Sequence, residues 1–340
     1  LAKTIPAQSD LVVITAPIPM LPIQLDFFAQ AIPRREHWNQ AVLLKSRQPL
    51  QAAWLDQALK AVVQHHSALH FCYSEQTHGQ WQQMAAESSM QAVLWVRQAT
   101  DAEQLLALCN EAQRNLNLQQ GSLVRAMLVD MADQTQRLLL VAHHLVIDGV
   151  SWRILIEDLE IAYQQAKNHE TINLPEVTTG YSVWTQRLQQ YSDSYAVEFA
   201  YWQNQVNVPV SLPCDFPEGS NSISNHTRIT ARLDQTQTQA LLKDAPAAYR
   251  TQVNDLLLAA LGSVLCQWSG HQKILVDLEG HGREDLYLDI DLSRTIGWFT
   301  ALFPVILDSS GDLPQRIKRI KESLRQMPNK GLGYGLFKYY

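Results

Sequence analysis

The chain carries apolar residues at two different spacings. In segments 51–69 and 151–166 they recur every three or four positions, as on one face of an α-helix. Segments 122–131 and 137–145 are instead strand-length apolar runs, and the second ends in two histidines. Further along, a helical pattern over 255–268 leads into a strand-like run over 273–280, and 314–327 is amphipathic. Helices and strands therefore alternate, which predicts an α/β fold.

Loop-like segments divide the chain. Its 340 residues exceed one ordinary core and predict two lobes of about 150–200 residues. The polar segment 167–180 is the expected crossover, so residues 1–175 form the predicted N-terminal lobe and 176–340 the C-terminal lobe. A second loop-like stretch, 206–227, contains three prolines. The helix over 151–166 is expected to begin at Ser151 or at the Asp148–Gly149 turn before it.

Composition and charge exclude several classes of protein. The net charge is −6 and no stretch concentrates Lys and Arg, which argues against a nucleic-acid partner. No apolar run reaches the roughly 18 residues of a membrane span, and the first 24 residues do not resemble a signal peptide. The four cysteines are scattered without CxxC spacing. These features predict a reduced cytoplasmic protein without disulfides.

The segment HHLVIDG, which begins at His143, is the most informative motif. Histidine exchanges protons near neutral pH, so a histidine at the end of a strand suits acid/base chemistry. Gly149 would permit a backbone conformation that other residues resist, and Asp148 would fix the loop. A buried histidine pair is the structural alternative, whereas metal binding is weakly supported because no Cys or Glu cluster accompanies the pair.

The full HHxxxDG pattern resembles the active-site motif of the condensation superfamily of nonribosomal peptide synthetases, which is related to chloramphenicol acetyltransferase. Five segments together resemble the signature set of the epimerization domains within that superfamily: HWNQAVLL (37–44), DGVSWRILIEDL (148–159), EGHGRE (279–284), RTIGWFT (294–300) and PNKGLGYG (328–335). The resemblance runs from about Pro22 to Gly335. Taken singly, the last three segments also fit a polar turn, a core strand and a flexible Gly-rich turn.

The resemblance implies a reaction and its residues. Inverting an α-carbon requires removing a proton from one face and returning one to the other, so the family pattern implies His144 and Glu279 as two acid/base groups. His143 and Asp148 would be structural, and Arg283 would pair with Asp148. Solvent exposure of Arg283 is the alternative. Backbone N–H groups near Gly149 and Ser151 are candidate donors to the enolate oxygen.

The resemblance also implies a fold and partners. We expect two chloramphenicol-acetyltransferase-like α/β lobes in a V, each a mixed sheet with helices, with the site in a tunnel between them. The substrate would be an aminoacyl or peptidyl thioester on the phosphopantetheine arm of an upstream carrier domain, within a longer synthetase that supplies neighbouring domains. The domain itself would need no metal or other cofactor.

Two departures from the family pattern, and two alternative functions, accompany this prediction. The usual PIQxWF motif reads PIQLDFF, with Asp26 in place of Trp, which concerns packing of the N-terminal lobe. The FNYLG-like segment that normally follows PxxGxGYG is not in the sequence, so the C-terminal lobe is expected to be incomplete. An amide-forming condensation domain and a non-catalytic, partner-recruiting domain are the alternatives. EGHGRE and RTIGWFT favour epimerization over the first, and an intact HHxxxDG favours it over the second.

Overall fold

The computed structural model describes residues 17–86, 93–191, 195–206, 208, 212–220 and 222–340. Residues 1–16 lie outside this part of the chain. They are most of the first 24 residues, for which the sequence predicts no signal peptide. The described residues form two compact units. The first contains the residues up to 191 together with 281–300 and 339–340, and the second contains 195–280 and 301–338. The first unit therefore extends past the predicted division at 175 and includes a segment that the sequence assigned to the C-terminal lobe.

The first unit combines helices with a mixed sheet. Its elements are α1 (Pro22–Ala29), β1 (Asn39–Lys45), α2 (Ala52–His65), β2 (Phe71–Glu75), β3 (Trp81–Ala85), β4 (Leu94–Ala99), α3 (Ala102–Gln113), β5 (Val124–Met131), β6 (Gln136–His143), α4 (Gly149–Lys167) and α5 (Tyr181–Gln189). The main sheet has the order β1-β6-β5-β4, in which β4 and β5 are parallel and the other pairs antiparallel. Strands β2 and β3 form a separate antiparallel pair.

Strand β6 confirms the buried strand predicted from its apolar run. It lies between β1 and β5, and its residues from Leu138 to His143 are all buried. Leu139 and Val141 join a core with Met127 and Ala112. A strand covered on both faces needs apolar residues at successive positions, which explains why the run is continuous rather than alternating.

Asp26, which stands in place of the Trp of the family motif PIQxWF, lies on α1 and makes local contacts there. Its carboxylate accepts a hydrogen bond of 2.7 Å from the Gln30 side chain, and the Tyr339 hydroxyl also donates to it. Phe27 and Phe28 on the same helix are buried. The aromatic packing of α1 therefore uses the two residues after Asp26.

The second unit is built around one antiparallel strand pair in the part of the chain that the structure describes. Its elements are α6 (Tyr195–Val206), α7 (Gln235–Gln239), α8 (Ala245–Tyr249), α9 (Val253–Ser269), β7 (Lys273–Gly280), β8 (Ala301–Asp308), α10 (Leu313–Gln326) and α11 (Leu332–Tyr339). Buried residues of α9, β7, β8 and α10 form its core. At Gly262 of α9 an added Cβ would lie 2.9 Å from Cβ of Leu307, so this glycine lets the helix approach β8 closely.

The sequence predicted a Gly-rich turn over 328–335, but only the first half of this segment is a turn. Asn329 and Lys330 have φ angles of 42° and 49°, and this short left-handed stretch separates α10 from α11. Helix α11 then begins at Leu332 and includes Gly333 and Gly335. The glycines predicted a turn in place of the start of α11. This prediction is wrong because packing overrides the low helix propensity of glycine. Among the described residues no helix has the length and apolar character needed to cross a bilayer.

Candidate active site

The two histidines at the end of β6 have opposite environments. His143 is fully buried, whereas its neighbour His144 is half-buried. The His143 ring contacts the backbone carbonyl of Arg35 through Nε2 at 2.8 Å and accepts a bond from the Leu145 N–H at Nδ1. Burial lowers the pKa of His143 to about 4. His143 therefore stays neutral near pH 7, consistent with the structural role expected for it.

Hydrogen bonds define the tautomer of His144. Its Nδ1 lies 2.8 Å from the backbone oxygen of Ile147. A carbonyl oxygen only accepts, so Nδ1 must carry the proton of this bond. In the neutral ring, Nε2 is then unprotonated and accepts from the side-chain nitrogen of Gln40, which is 2.9 Å away. Nε2 is therefore the atom of His144 that can take a proton.

Three side chains around His144 were not identified from the sequence. The indole Nε1–H of Trp152 donates to the Gln40 oxygen at 2.7 Å, which orients the amide toward His144. The Trp298 ring packs against the imidazole, with a centroid separation of 4.3 Å and an interplanar angle of 32°. Gln40 lies opposite Ala142 in the β1–β6 register, and is thus a diagonal neighbour of His144. All three side chains stand within motifs already noted. The missing information was the strand register for Gln40 and the packing of α4 and of the 294–300 loop for Trp152 and Trp298.

Asp148 holds the loop after the histidines. Its carboxylate caps α4 by accepting from the Ser151 N–H at 2.7 Å, and it also accepts from the Phe299 N–H at 3.2 Å. Arg283 forms the predicted ion pair with Asp148 at 3.1 Å, and each side chain is 7% exposed. Burial lowers the pKa of Arg283, and the Asp148 charge opposes that effect. Both partners lie within the first unit.

Gly149 and Ser151 differ from their expected roles. The backbone of Gly149 lies outside the left-handed region, and an added Cβ would meet no atom within 4 Å, so no unusual conformation requires this glycine. It is the first residue of an ordinary helix. The Ser151 N–H is committed to the Asp148 cap, which removes it as a donor to an enolate. The Ser151 hydroxyl donates to the Gly297 carbonyl at 2.9 Å and accepts from Arg283 at 2.9 Å.

The RTIGWFT segment is a buried loop rather than a core strand. Ser151 contacts both backbone groups of Gly297 in this loop. A Cβ on Gly297 would lie 2.4 Å from the Tyr181 ring, so only glycine fits there without a shift. The loop thus packs tightly against α4 and α5, and its neighbour Trp298 reaches the His144 ring.

Glu279 lies in the second unit, near the end of β7. It pairs with Leu302 in the ladder and is exposed, as is Asp277 on the same face of the strand. The Glu279 carboxylate forms no hydrogen bond or ion pair with the residues that the structure describes. Ile274 and Leu278 occupy the opposite, core-facing side. Glu279 is therefore an accessible carboxylate on a rigid strand.

One histidine-containing cluster has the composition of a metal site. The ligand atoms of His65, His66 and Asp158 lie within 4.8 Å of one another. However, Asp158 already accepts from His66 at 2.8 Å and pairs with Arg294. The fixed positive charge of Arg294 opposes a cation at that carboxylate. The contacts favour a structural His–Asp–Arg network that ties the RTIGWFT segment to α4.

Sequence comparison identifies the family. A family model described as "Condensation domain" matches residues 15–340. The chain belongs to the condensation domain family. Among the curated relatives of this condensation-family chain, tyrocidine synthase 2 from Brevibacillus parabrevis is 38% identical over 97% of the chain, and the chain spans 10% of that synthase. Gramicidin S synthase 1 from Brevibacillus brevis is 37% identical over 98% of the chain, which spans 31% of its length. The chain thus covers a small part of the curated relatives it matches.

Solved structures of family members agree with the fold. The epimerization domain from the third module of tyrocidine synthetase B has a TM-score of 0.89 and 37% identity, over 97% of this chain and 78% of the other. The X-domain from teicoplanin biosynthesis has a TM-score of 0.80 over 95% of this chain and 73% of the other. At 21% identity, it supports the fold alone. Together these matches confirm the predicted α/β condensation-superfamily fold.

Proposed function

We propose that this condensation-family domain epimerises the α-carbon of an aminoacyl or peptidyl thioester carried on the phosphopantetheine arm of an upstream carrier domain. The observation that carries the proposal is the geometry of His144, whose half-buried ring turns Nδ1 to the Ile147 carbonyl and Nε2 to the Gln40 amide nitrogen. Similarity to an epimerization domain at 37% identity supports the reaction class.

The proposed chemistry is a proton removal and a proton return. The thioester carbonyl acidifies the α-proton, so a base converts the carbon to an enolate by taking that proton. Return of a proton to the opposite face then completes inversion. We assign His144 Nε2 to one face and the Glu279 carboxylate to the other. Either group could act first, because each serves as a base in one direction of the reaction and as an acid in the reverse direction.

The enolate oxygen needs a hydrogen-bond donor or a positive field. The N-terminus of α4 follows His144 by five residues, and its first N–H groups have no partner within the helix. Because the Ser151 N–H is used by the cap, we assign this role to the N–H groups of Gly149 and Val150. The open space at Gly149 is consistent with a substrate passing close to the backbone.

Isotope exchange tests the reaction. A carrier domain is loaded with an L-aminoacyl thioester deuterated at Cα and incubated with the protein in ordinary water. We expect loss of deuterium and formation of the D product. His144→Ala should lower formation of the D product by about 10²–10⁴-fold, the usual contribution of a general acid/base. His271→Ala, which removes an exposed imidazole, is the control.

Glu279→Gln tests separately the proton exchange on the two faces of the α-carbon. We expect it to abolish inversion while exchange continues in the one enantiomer, L or D, whose Cα–D bond faces His144, so thioesters of both enantiomers are assayed. Asp277→Asn, on the same exposed face of β7, should retain activity. Amide formation between two loaded carriers without deuterium loss would instead assign the domain to condensation. Binding of synthetase domains with neither reaction would indicate a partner-recruiting member.

A further inference from the structure

The proposed base, His144, belongs to a hydrogen-bond chain in which each bond has a fixed donor and a fixed acceptor. Trp152 donates to the Gln40 oxygen at 2.7 Å, and the Gln40 nitrogen meets His144 Nε2 at 2.9 Å. His144 Nδ1 then reaches the Ile147 carbonyl at 2.8 Å. An indole N–H can only donate and a carbonyl can only accept. The two ends therefore impose one direction on all three bonds.

We propose that Gln40, oriented by Trp152, is a positioning residue that holds His144 in the Nδ1–H tautomer and covers Nε2 until substrate displaces it. Its place in catalysis rests on the proposed function of His144. The control of the imidazole tautomer is a property of the protein alone, and is testable without a substrate.

The same geometry disfavours a proton on Nε2 while Gln40 remains in place. A protonated Nε2 would point its N–H at the N–H group of the Gln40 amide, so two donors would face each other. The amide could offer its oxygen only by turning over, which breaks the bond from Trp152. Gln40 must therefore move aside when Nε2 receives a proton from Cα.

Rigid elements hold this arrangement. Gln40 projects from β1, which is paired with β6 along its whole length, and Trp152 belongs to α4, whose start is fixed by the buried Asp148 cap. Gln40 and Trp152 are both half-buried, so an incoming substrate can reach the contact between Gln40 and His144. A side chain on a sheet can shift by rotamer change without moving its backbone, which suits a contact that must open and close.

The ¹⁵N NMR spectrum of histidine-labelled full chain at neutral pH tests the proposal. His144→Gln assigns the relevant signals. We expect a protonated Nδ1 and an unprotonated Nε2 in the parent protein. Trp152→Phe frees the Gln40 oxygen to turn toward Nε2 while Nδ1 still donates to the Ile147 carbonyl, so a form with both ring nitrogens protonated should become populated. Trp268→Phe, which removes an exposed indole on α9, should leave the signals unchanged.

Gln40→Glu is the sharper variant. A carboxylate can accept from both Trp152 and His144, so it should hold both ring nitrogens protonated. Washout of deuterium should then fall at least tenfold for the enantiomer whose Cα–D bond faces His144. Gln98→Glu, which makes the same change at an exposed position of β4, should alter neither measurement. An Nε2–H tautomer in the parent, or unchanged His144 signals in both Gln40→Glu and Trp152→Phe, would overturn the proposal. If the tautomers behave as expected but His144→Ala retains full formation of the D product, the proposed function fails while the positioning role stands.

Discussion

His143 and His144 show how far one position along the chain changes the chemistry of a side chain. Strand β6 ends at the buried His143, and His144 begins a short 3₁₀ turn in which its ring is only half-buried. Burial keeps the first imidazole neutral, and both of its nitrogens contact backbone groups. The second imidazole has one nitrogen fixed by backbone and the other facing a side chain that can move.

The lowered pKa of His143 predicts a loss of stability in mild acid. The unfolded chain takes up a proton near the ordinary pKa of 6.5, whereas the folded chain resists until about pH 4. Stability should therefore fall as the pH drops through this window, by about 2 kcal/mol from this residue between pH 7 and pH 5. Urea unfolding at the two pH values measures the effect.

His143→Gln is the informative variant for that measurement. It should be less stable than the parent at pH 7, but its stability should decline less between pH 7 and pH 5. His271→Gln, at an exposed position, should decline as the parent does. An equal decline in the parent and in His143→Gln would contradict the assignment.

The roles of site residues were predictable where a sequence motif contains them. Contacts that form only when the chain folds were not predictable. HHxxxDG and EGHGRE pointed to the Asp148–Arg283 ion pair, which is present. Gln40 and Trp152 were inside recognised motifs but had no assigned role, because their meeting at His144 depends on strand register and helix direction. The role expected for Ser151 failed because the Asp148 cap already uses its N–H.

At the scale of elements, the start of α4 is the best-determined feature. One carboxylate satisfies a helix cap, an ion pair and a loop N–H at once. The sequence left two starting points open, and the cap residue is Asp148. Spacing predicted α2, β5, β6, α4, α9, β7 and α10, whereas it did not predict the conformations of 294–300 and 328–335. Those segments follow tertiary contacts rather than a repeating pattern.

Removal of Arg283 should be much more costly than removal of an exposed cation. Arg283→Ala leaves the Asp148 charge buried without its partner, which typically destabilises a protein by about 3–5 kcal/mol. Lys60→Ala breaks the exposed Lys60–Asp56 pair on α2 and should cost less than about 1 kcal/mol. Thermal and urea unfolding compare the two, and similar small effects would show that the buried pair does not support the fold.

At the scale of the whole molecule, the first unit is discontinuous in sequence. The chain leaves it after residue 191 and contributes to it again over 281–300. That return segment supplies Arg283, Trp298 and Phe299, which contact the histidine loop and its cap. A division into consecutive halves, as at 175, could not anticipate this arrangement because sequence pattern does not reveal which loops return.

The discontinuity predicts how fragments behave. A fragment ending at residue 192 should lack a cooperative unfolding transition, because Asp148 and Ser151 lose their buried partners and each unsatisfied polar group costs about 1–3 kcal/mol. The same fragment joined to 281–300 through a long Gly/Ser linker should recover a transition. Calorimetry distinguishes the two, and cooperative unfolding of the short fragment alone would refute the prediction.

Gly297 has a further consequence for interpreting the RTIGWFT segment. The Tyr181 ring leaves no room for a side chain at this position, while Ser151 binds both of its backbone groups. A substitution here would reduce the yield of folded protein rather than slow the reaction of each correctly folded molecule. Loss of activity in a mutagenesis screen would therefore misidentify Gly297 as part of the chemistry unless the activity is normalised to folded protein.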